Sequence, residues 1–91
     1  GGHSHHSMQQ LLVATSGSFD VNITDGFTRL TFTLNRPFEG LYIPAGIWRT
    51  IDNFASGSVC LSIVSMKYDE EDYVRDYNEF VALAKKRGPV I

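Results

Sequence analysis

Gly1-Gly2-His3-Ser4-His5-His6-Ser7-Met8-Gln9-Gln10-Leu11-Leu12-Val13-Ala14-Thr15-Ser16-Gly17 opens the chain and decides how the rest is read. His3 and His5 are one residue apart. On an extended chain such positions share a face, so the two imidazoles can line one cavity. His6 then faces the other way, toward solvent. Residues 11–14 form a short unbroken apolar run, the pattern of a strand buried on both faces, with Gln10 just before it. Gly17 turns the chain. Histidines ahead of Met8 also resemble an expression tag, and a tag has no part in a fold. Ser4 interrupts them, however, and they keep a register with Gln10 and Gly17 that a tag has no reason to keep. Native histidines in that register imply a chain that starts inside a fold, with material upstream.

Downstream, residues 18–24 alternate. Phe19, Val21 and Ile23 point one way and Asp20, Asn22 and Thr24 the other, as in a half-buried strand. Asp25-Gly26 predicts a two-residue hairpin turn, because both residue types tolerate positive φ. Residues 29–34 alternate again, with Leu30, Phe32 and Leu34 inward and Arg29, Thr31 and Thr33 outward. Asn35-Arg36-Pro37 ends that strand, since proline cannot donate to a ladder. Strands follow at 40–43 and 48–54 around the turn Pro44-Ala45-Gly46. The last covers 58–65, with Val59, Leu61 and Ile63 on one face. These short strands, spanning about 8–65, predict an all-β sandwich or barrel. About six are counted where a jelly roll has about eight, a deficit that fits missing first strands.

Residues 69–87 change period. Tyr73, Tyr77, Phe80, Val81 and Ala84 recur at helical spacing. Asp69 suits an N-cap, with Glu70, Glu71 and Asp72 in the first turn. Lys85-Lys86-Arg87 suit the last turn, and Gly88 with Pro89 ends it. The expectation is a C-terminal α-helix over about 69–87 covering the barrel. Tyr73, Tyr77 and Phe80 are then core, residues 69–72 a capping turn, and the charges a solvated face.

With 91 residues, the chain holds one domain, 1–91. Hydrophobic residues at 43% suffice for a core and are too many for disorder. A net charge of −2 argues against a nucleic-acid partner, which would want a basic face. No apolar run approaches the ~18 residues of a membrane span. The single cysteine, Cys60, has no internal disulfide partner and reads as an inert buried thiol of a reducing, cytoplasmic compartment.

Imidazoles titrate near neutrality, at about 6.5 when unperturbed, so His3 and His5 can take and return protons. They are the candidate catalytic residues. The candidate substrate-binding residues are Gln10, Arg49, Trp48 and Tyr42. Gln10 can bond a ligand or orient a histidine. Arg49 can hold a phosphate or a developing oxyanion, or lie on the surface of its strand. Trp48 and Tyr42 can stack on a base or sugar ring, or serve as core or interface. The set suits proton abstraction beside a ketone, through an enediol-like intermediate.

The spacing from His3 and His5 to Gln10 and Gly17 resembles the first cupin motif, with Gln10 where metal-binding members carry Glu. Pro44, Gly46 and Asn53 resemble the second, with Arg49 in place of its histidine. The resemblance implies an RmlC-like double-stranded β-helix, a jelly roll here lacking its N-terminal strands. Two of the four metal-ligand positions are changed. Gln10 is a poor neutral ligand, and Arg49 has no lone pair and a permanent positive charge. No metal and no cofactor are expected.

Three segments narrow the resemblance: His3-Ser4-His5; Gly40-Leu41-Tyr42-Ile43-Pro44 with Trp48; and Tyr68-Asp69-Glu70-Glu71-Asp72-Tyr73-Val74-Arg75-Asp76-Tyr77-Asn78-Glu79-Phe80. They are similar to the sugar 3,4-ketoisomerases acting on dTDP-4-keto-6-deoxyhexoses, the WxcM-like C-terminal domain family. That resemblance implies a metal-independent cupin of deoxysugar and O-antigen biosynthesis, a homodimer with a nucleotide-diphosphate sugar as substrate. It implies His3 and His5 as the proton-shuttling pair, and an upstream tyrosine and arginine. The alternatives are a 3- or 3,5-epimerase using the same enolising step, a non-catalytic cupin that binds a sugar nucleotide, and a metal-dependent cupin.

Overall fold

The computed structural model describes residues 1–91. Its strands are β1 (Ser4–His5), β2 (Gln10–Ser16), β3 (Phe19–Thr24), β4 (Arg29–Leu34), β5 (Gly40–Ile43), β6 (Trp48–Asp52), β7 (Val59–Val64) and β8 (Tyr73–Val74). A 3-10 turn, Glu70–Asp72, precedes β8, and one helix, α1 (Tyr77–Arg87), follows it. Two three-stranded antiparallel sheets, β5-β2-β7 and β4-β3-β6, form the sandwich. The short ribbon β1-β8 extends the second sheet, because His3 bridges to Arg49 on β6 through paired backbone hydrogen bonds of 3.1 and 2.9 Å.

Pattern explains the core. Leu12 and Ala14 of β2, Phe19 and Val21 of β3, Leu34, Ile43 and Ile47 form one buried cluster between the sheets. Each such large side chain contributes roughly 1.5–3 kcal/mol when fully buried. A slip of one residue in β2 would turn Leu12 and Ala14 outward, so the register is strongly specified. Gly17 carries the chain from one sheet to the other at φ 70°, and a Cβ there would meet Ser58. A second cluster, Trp48, Val74, Phe80 and Ala84, lies between α1 and the outer face of β6 and β8.

Several expectations are corrected. All six predicted strands exist, but β1 and β8 lie outside the 8–65 span; two residues are too few to show a period. The helix covers 77–87, not 69–87. Asp69 does cap, accepting from the Glu71 amide, but it caps only the 3-10 turn. The chain then extends, Tyr73 and Val74 pair with His5 and Ser4, and Asp76 caps the true helix. Tertiary pairing of β8 breaks what the spacing alone joins.

The Asp25-Gly26 turn is a four-residue loop, since Thr24 pairs with Arg29. Only Gly26 has positive φ. Val59, Leu61 and Ile63 share one face as predicted, but it is the outer one. In the ladder, Cys60 and Ser62 pair with buried Ala14 and Leu12, while Leu61 and Ile63 pair with Val13 and Leu11. Leu30 and Phe32 lie opposite Ile23 and Val21, yet stay exposed because β4 is an edge strand. Arg87 is exposed like Lys85 and Lys86, as expected, and is also tied to the fold: its two terminal nitrogens donate to the carbonyls of Gly46 and Asp25 at 2.6 and 2.7 Å.

Candidate active site

Three neighbouring strands carry the site on one face. Arg49 on β6 pairs with His3; His5 follows two residues later on β1 and pairs with Tyr73 on β8. Paired positions on adjacent strands share a face. Tyr73, His5, His3 and Arg49 therefore form a row across the inner side of this sheet. Arg49 also pairs with Ile23 of β3, which packs on the core. Gln10 reaches the row from the facing sheet. Its side-chain oxygen accepts from a terminal Arg49 nitrogen at 2.7 Å, and its amide nitrogen donates to Ser62 Oγ at 2.7 Å.

The imidazoles touch. Their centroids are 4.8 Å apart in an edge-to-face arrangement. His5 and Arg49 are each 1% exposed. Burial, and then the Arg49 guanidinium, lower both histidines from 6.5 to about 4. His3 is further lowered by His5, Arg75 and the N-terminus; for His5, Asp72 opposes the shift. At neutral pH both rings are therefore uncharged and able to accept a proton. Burial lowers Arg49 only to about 10, so it stays a cation. A second terminal nitrogen of Arg49 donates to the Ile47 carbonyl at 2.8 Å. Three buried polar atoms lack a partner in the chain, and all belong to this cluster: both ring nitrogens of His5 and Nε of Arg49. Unpaired buried polar groups are rare and costly, so their concentration here marks a functional surface.

The structure thus brings together His3, His5, Gln10 and Arg49. It does not bring Trp48 or Tyr42 to them. Trp48 alternates with Arg49 along β6 and faces the opposite side, against Tyr77 and Phe80 at centroid distances of 5.2 and 5.6 Å. Tyr42 lies on the outer face of β5, 55% exposed, and its hydroxyl donates to Gln9 at 2.7 Å. His6 is exposed, as expected. Cys60 is half-buried against the core, which raises its thiol pKa.

Two residues at the site escaped the sequence reading. Tyr73, assigned to core packing, stands 4.4 Å from His5 and 5.2 Å from His3 between ring centroids. Asp72, assigned to a capping turn, is buried and accepts from the Ser7 and Met8 amides at 2.9 Å each. It turns the chain from the histidine strand into β2. The one usable signal was the dipeptide Tyr73-Val74, too short to be read as a strand.

A two-sheet antiparallel sandwich with one C-terminal helix is a cupin-like fold, and here it sets paired neutral imidazoles beside a buried guanidinium. The donor set is poor for a divalent ion: Gln10 is occupied by Arg49, the Arg49 cation repels one, and no group of three His, Cys, Asp or Glu side chains converges. The chain belongs to the family described as FdtA: WxcM-like, C-terminal, which matches residues 1–85. That match includes the histidines, which the structure builds into the sheet.

Among relatives, the chain is 38% identical over 80 residues to the TDP-4-oxo-6-deoxy-alpha-D-glucose-3,4-oxoisomerase of Aneurinibacillus thermoaerophilus, covering 88% of this chain and 58% of that protein. Among solved structures, a mutant of the 3,4-ketoisomerase QdtA from Thermoanaerobacterium thermosaccharolyticum, in complex with TDP-4-keto-6-deoxyglucose, superposes with a TM-score of 0.92 at 36% identity. It matches 93% of this chain and 62% of its own. The TDP-quinovose 3,4-ketoisomerase WlaRB of Campylobacter jejuni gives a TM-score of 0.86 at 40% identity, over 90% and 63%. The chain therefore spans about three-fifths of the length of these proteins.

Proposed function

We propose that this chain forms the catalytic cupin core of a sugar-nucleotide 3,4-ketoisomerase. Its substrate is a dTDP-4-keto-6-deoxyhexose, and its product carries the ketone at C3. The observation that supports this most is the row of two neutral, touching imidazoles beside a buried guanidinium. One imidazole takes the C3 proton while the C4 oxygen gains a proton, giving an enediol. The O3 proton then leaves as C4 gains one. The sum moves two hydrogens within the substrate and needs no oxidant, metal or cofactor. His3 and His5 carry these protons; Arg49, held by Gln10, stabilises charge on the reacting oxygens. A role for Trp48 is limited to packing beneath α1, and Tyr42 belongs to an outer surface.

The proposal includes a homodimer in the cytoplasm, acting in deoxysugar biosynthesis. No helix is long and apolar enough to cross a membrane. The outer face of β5-β2-β7 presents Tyr42, Val59, Leu61 and Ile63, each 44–55% exposed, a patch suited to a second copy.

The test uses the complete protein with the keto sugar in deuterated water. Deuterium should enter at C3 or C4, and His3→Asn or His5→Asn should abolish its entry. Folded protein that catalyses no exchange would overturn the reading. Product stereochemistry separates isomerisation from epimerisation.

A further inference from the structure

The segment 68–77 is the most distinctive stretch of the sequence, and the reaction just proposed leaves it without a task. Tyr73 lies directly across from His5 in the β1-β8 ladder. Its ring packs edge-to-face on His5 and tilted on His3, at 81° and 38°. Both imidazoles thus rest on one aromatic ring. Tyr73 is itself held. The guanidinium carbon of Arg75 is 4.4 Å from its centroid. Arg75 is fixed by a forked pair with Glu70, Nε to one carboxylate oxygen at 2.6 Å and a terminal nitrogen to the other at 2.9 Å. Tyr68, 5.4 Å from Tyr73 between centroids, donates its hydroxyl to the same Glu70.

Catalytic histidines are commonly oriented by a hydrogen bond to one ring nitrogen. His5 has none: neither nitrogen meets a partner in the chain. Its orientation is set by ring packing. We infer that Tyr73 is a positioning residue for the imidazole pair, and that the Arg75–Glu70 pair keeps it there. This rests on the acid–base role proposed for His3 and His5. The same stack bears on their charge. Burial and Arg49 from β6 favour the neutral rings, and Arg75, just after β8, adds to that on both; His3 also meets His5 and the N-terminus, and Asp72 opposes on His5.

Tyr73→Phe, Tyr73→Leu and Arg75→Gln in the complete protein test it. Three readouts are needed: NMR titration of the His3 and His5 ring carbons without substrate, unfolding by urea, and kcat with KM. Tyr73→Phe keeps the ring and should match the parent in titration and rate. Tyr73→Leu should lower kcat by about tenfold or more while KM moves less than about threefold, as expected for a misplaced group. Its imidazoles should titrate well above the parent's, because the covering ring is gone. Arg75→Gln should shift both imidazoles upward and lower kcat less.

A folded Tyr73→Leu protein with the parent's titration and kcat overturns the inference. So does a Tyr73→Phe protein as impaired as Tyr73→Leu, since the hydroxyl would then be the working part. If Tyr73→Leu does not fold, exposed Arg75 decides: Arg75→Gln with unshifted imidazoles and full activity overturns it. Were the isomerase reading to fail, the parent itself would catalyse no exchange, and the substrate-free titrations would still judge Tyr73.

Discussion

Arg49 stands at a strand position whose neighbours in space, not in sequence, give it meaning. Its guanidinium is buried, and two of its nitrogens are taken by Gln10 and Ile47. Arg49→Gln should leave the Gln10 oxygen and the Ile47 carbonyl unpaired, costing about 1–3 kcal/mol in urea unfolding and abolishing exchange. Arg49→Lys should not rescue it, since a point charge cannot span the same fork. The histidines set an acid limit. Both have folded pKa values near 4, below the unfolded 6.5, so between those values the unfolded chain binds more protons. Stability should be full above about pH 6.5 and fall as pH drops toward 4. Urea midpoints at pH 7.5 and 5 measure this, and His5→Asn should flatten the difference. Spacing made His3 and His5 legible in the sequence, and the resemblance to the two cupin motifs pointed to Gln10 and Arg49. Spacing misplaced Trp48, because alternation says that Trp48 and Arg49 face opposite ways without saying which side a ligand can reach.

The turn after β3 shows how an element can be held from afar. Asp25, fully buried, accepts from the Phe27 and Thr28 amides in its own loop and from Val90 and Ile91 at the other end of the chain. The Thr28 bond, with the other backbone donors, holds its carboxyl well below the usual carboxylate range. Asp25→Ala should cost about 2–4 kcal/mol and loosen residues 88–91, seen as faster amide exchange there. Asp25→Asn should recover part of the loss. Local turn chemistry pointed to this loop but not to its clamp, which depends on contacts some 65 residues apart. The helix start was misread for a similar reason: residues 69–76 hold two caps and a strand, and only pairing with β1 separates them.

At the scale of the molecule, the sandwich buries its inner faces and leaves an apolar outer one on β5-β2-β7. The proposed homodimer uses this patch, so Leu61→Glu at its centre should give a monomer in sedimentation where the parent is a dimer, with an unfolding midpoint that no longer rises with concentration. An unchanged dimer would place the interface elsewhere. The chain covers about three-fifths of the length of its relatives.

Alternation and turn residues, both local properties, determined the six strands β2 to β7 and the mostly-β class, and the one-residue gap between His3 and His5 put both imidazoles on one face. Tertiary pairing decided the rest. Which face of β7 points inward, where the helix begins, and that Tyr73 meets both imidazoles all depend on cross-strand register. Register is an energy shared by distant segments, and no single segment carries it.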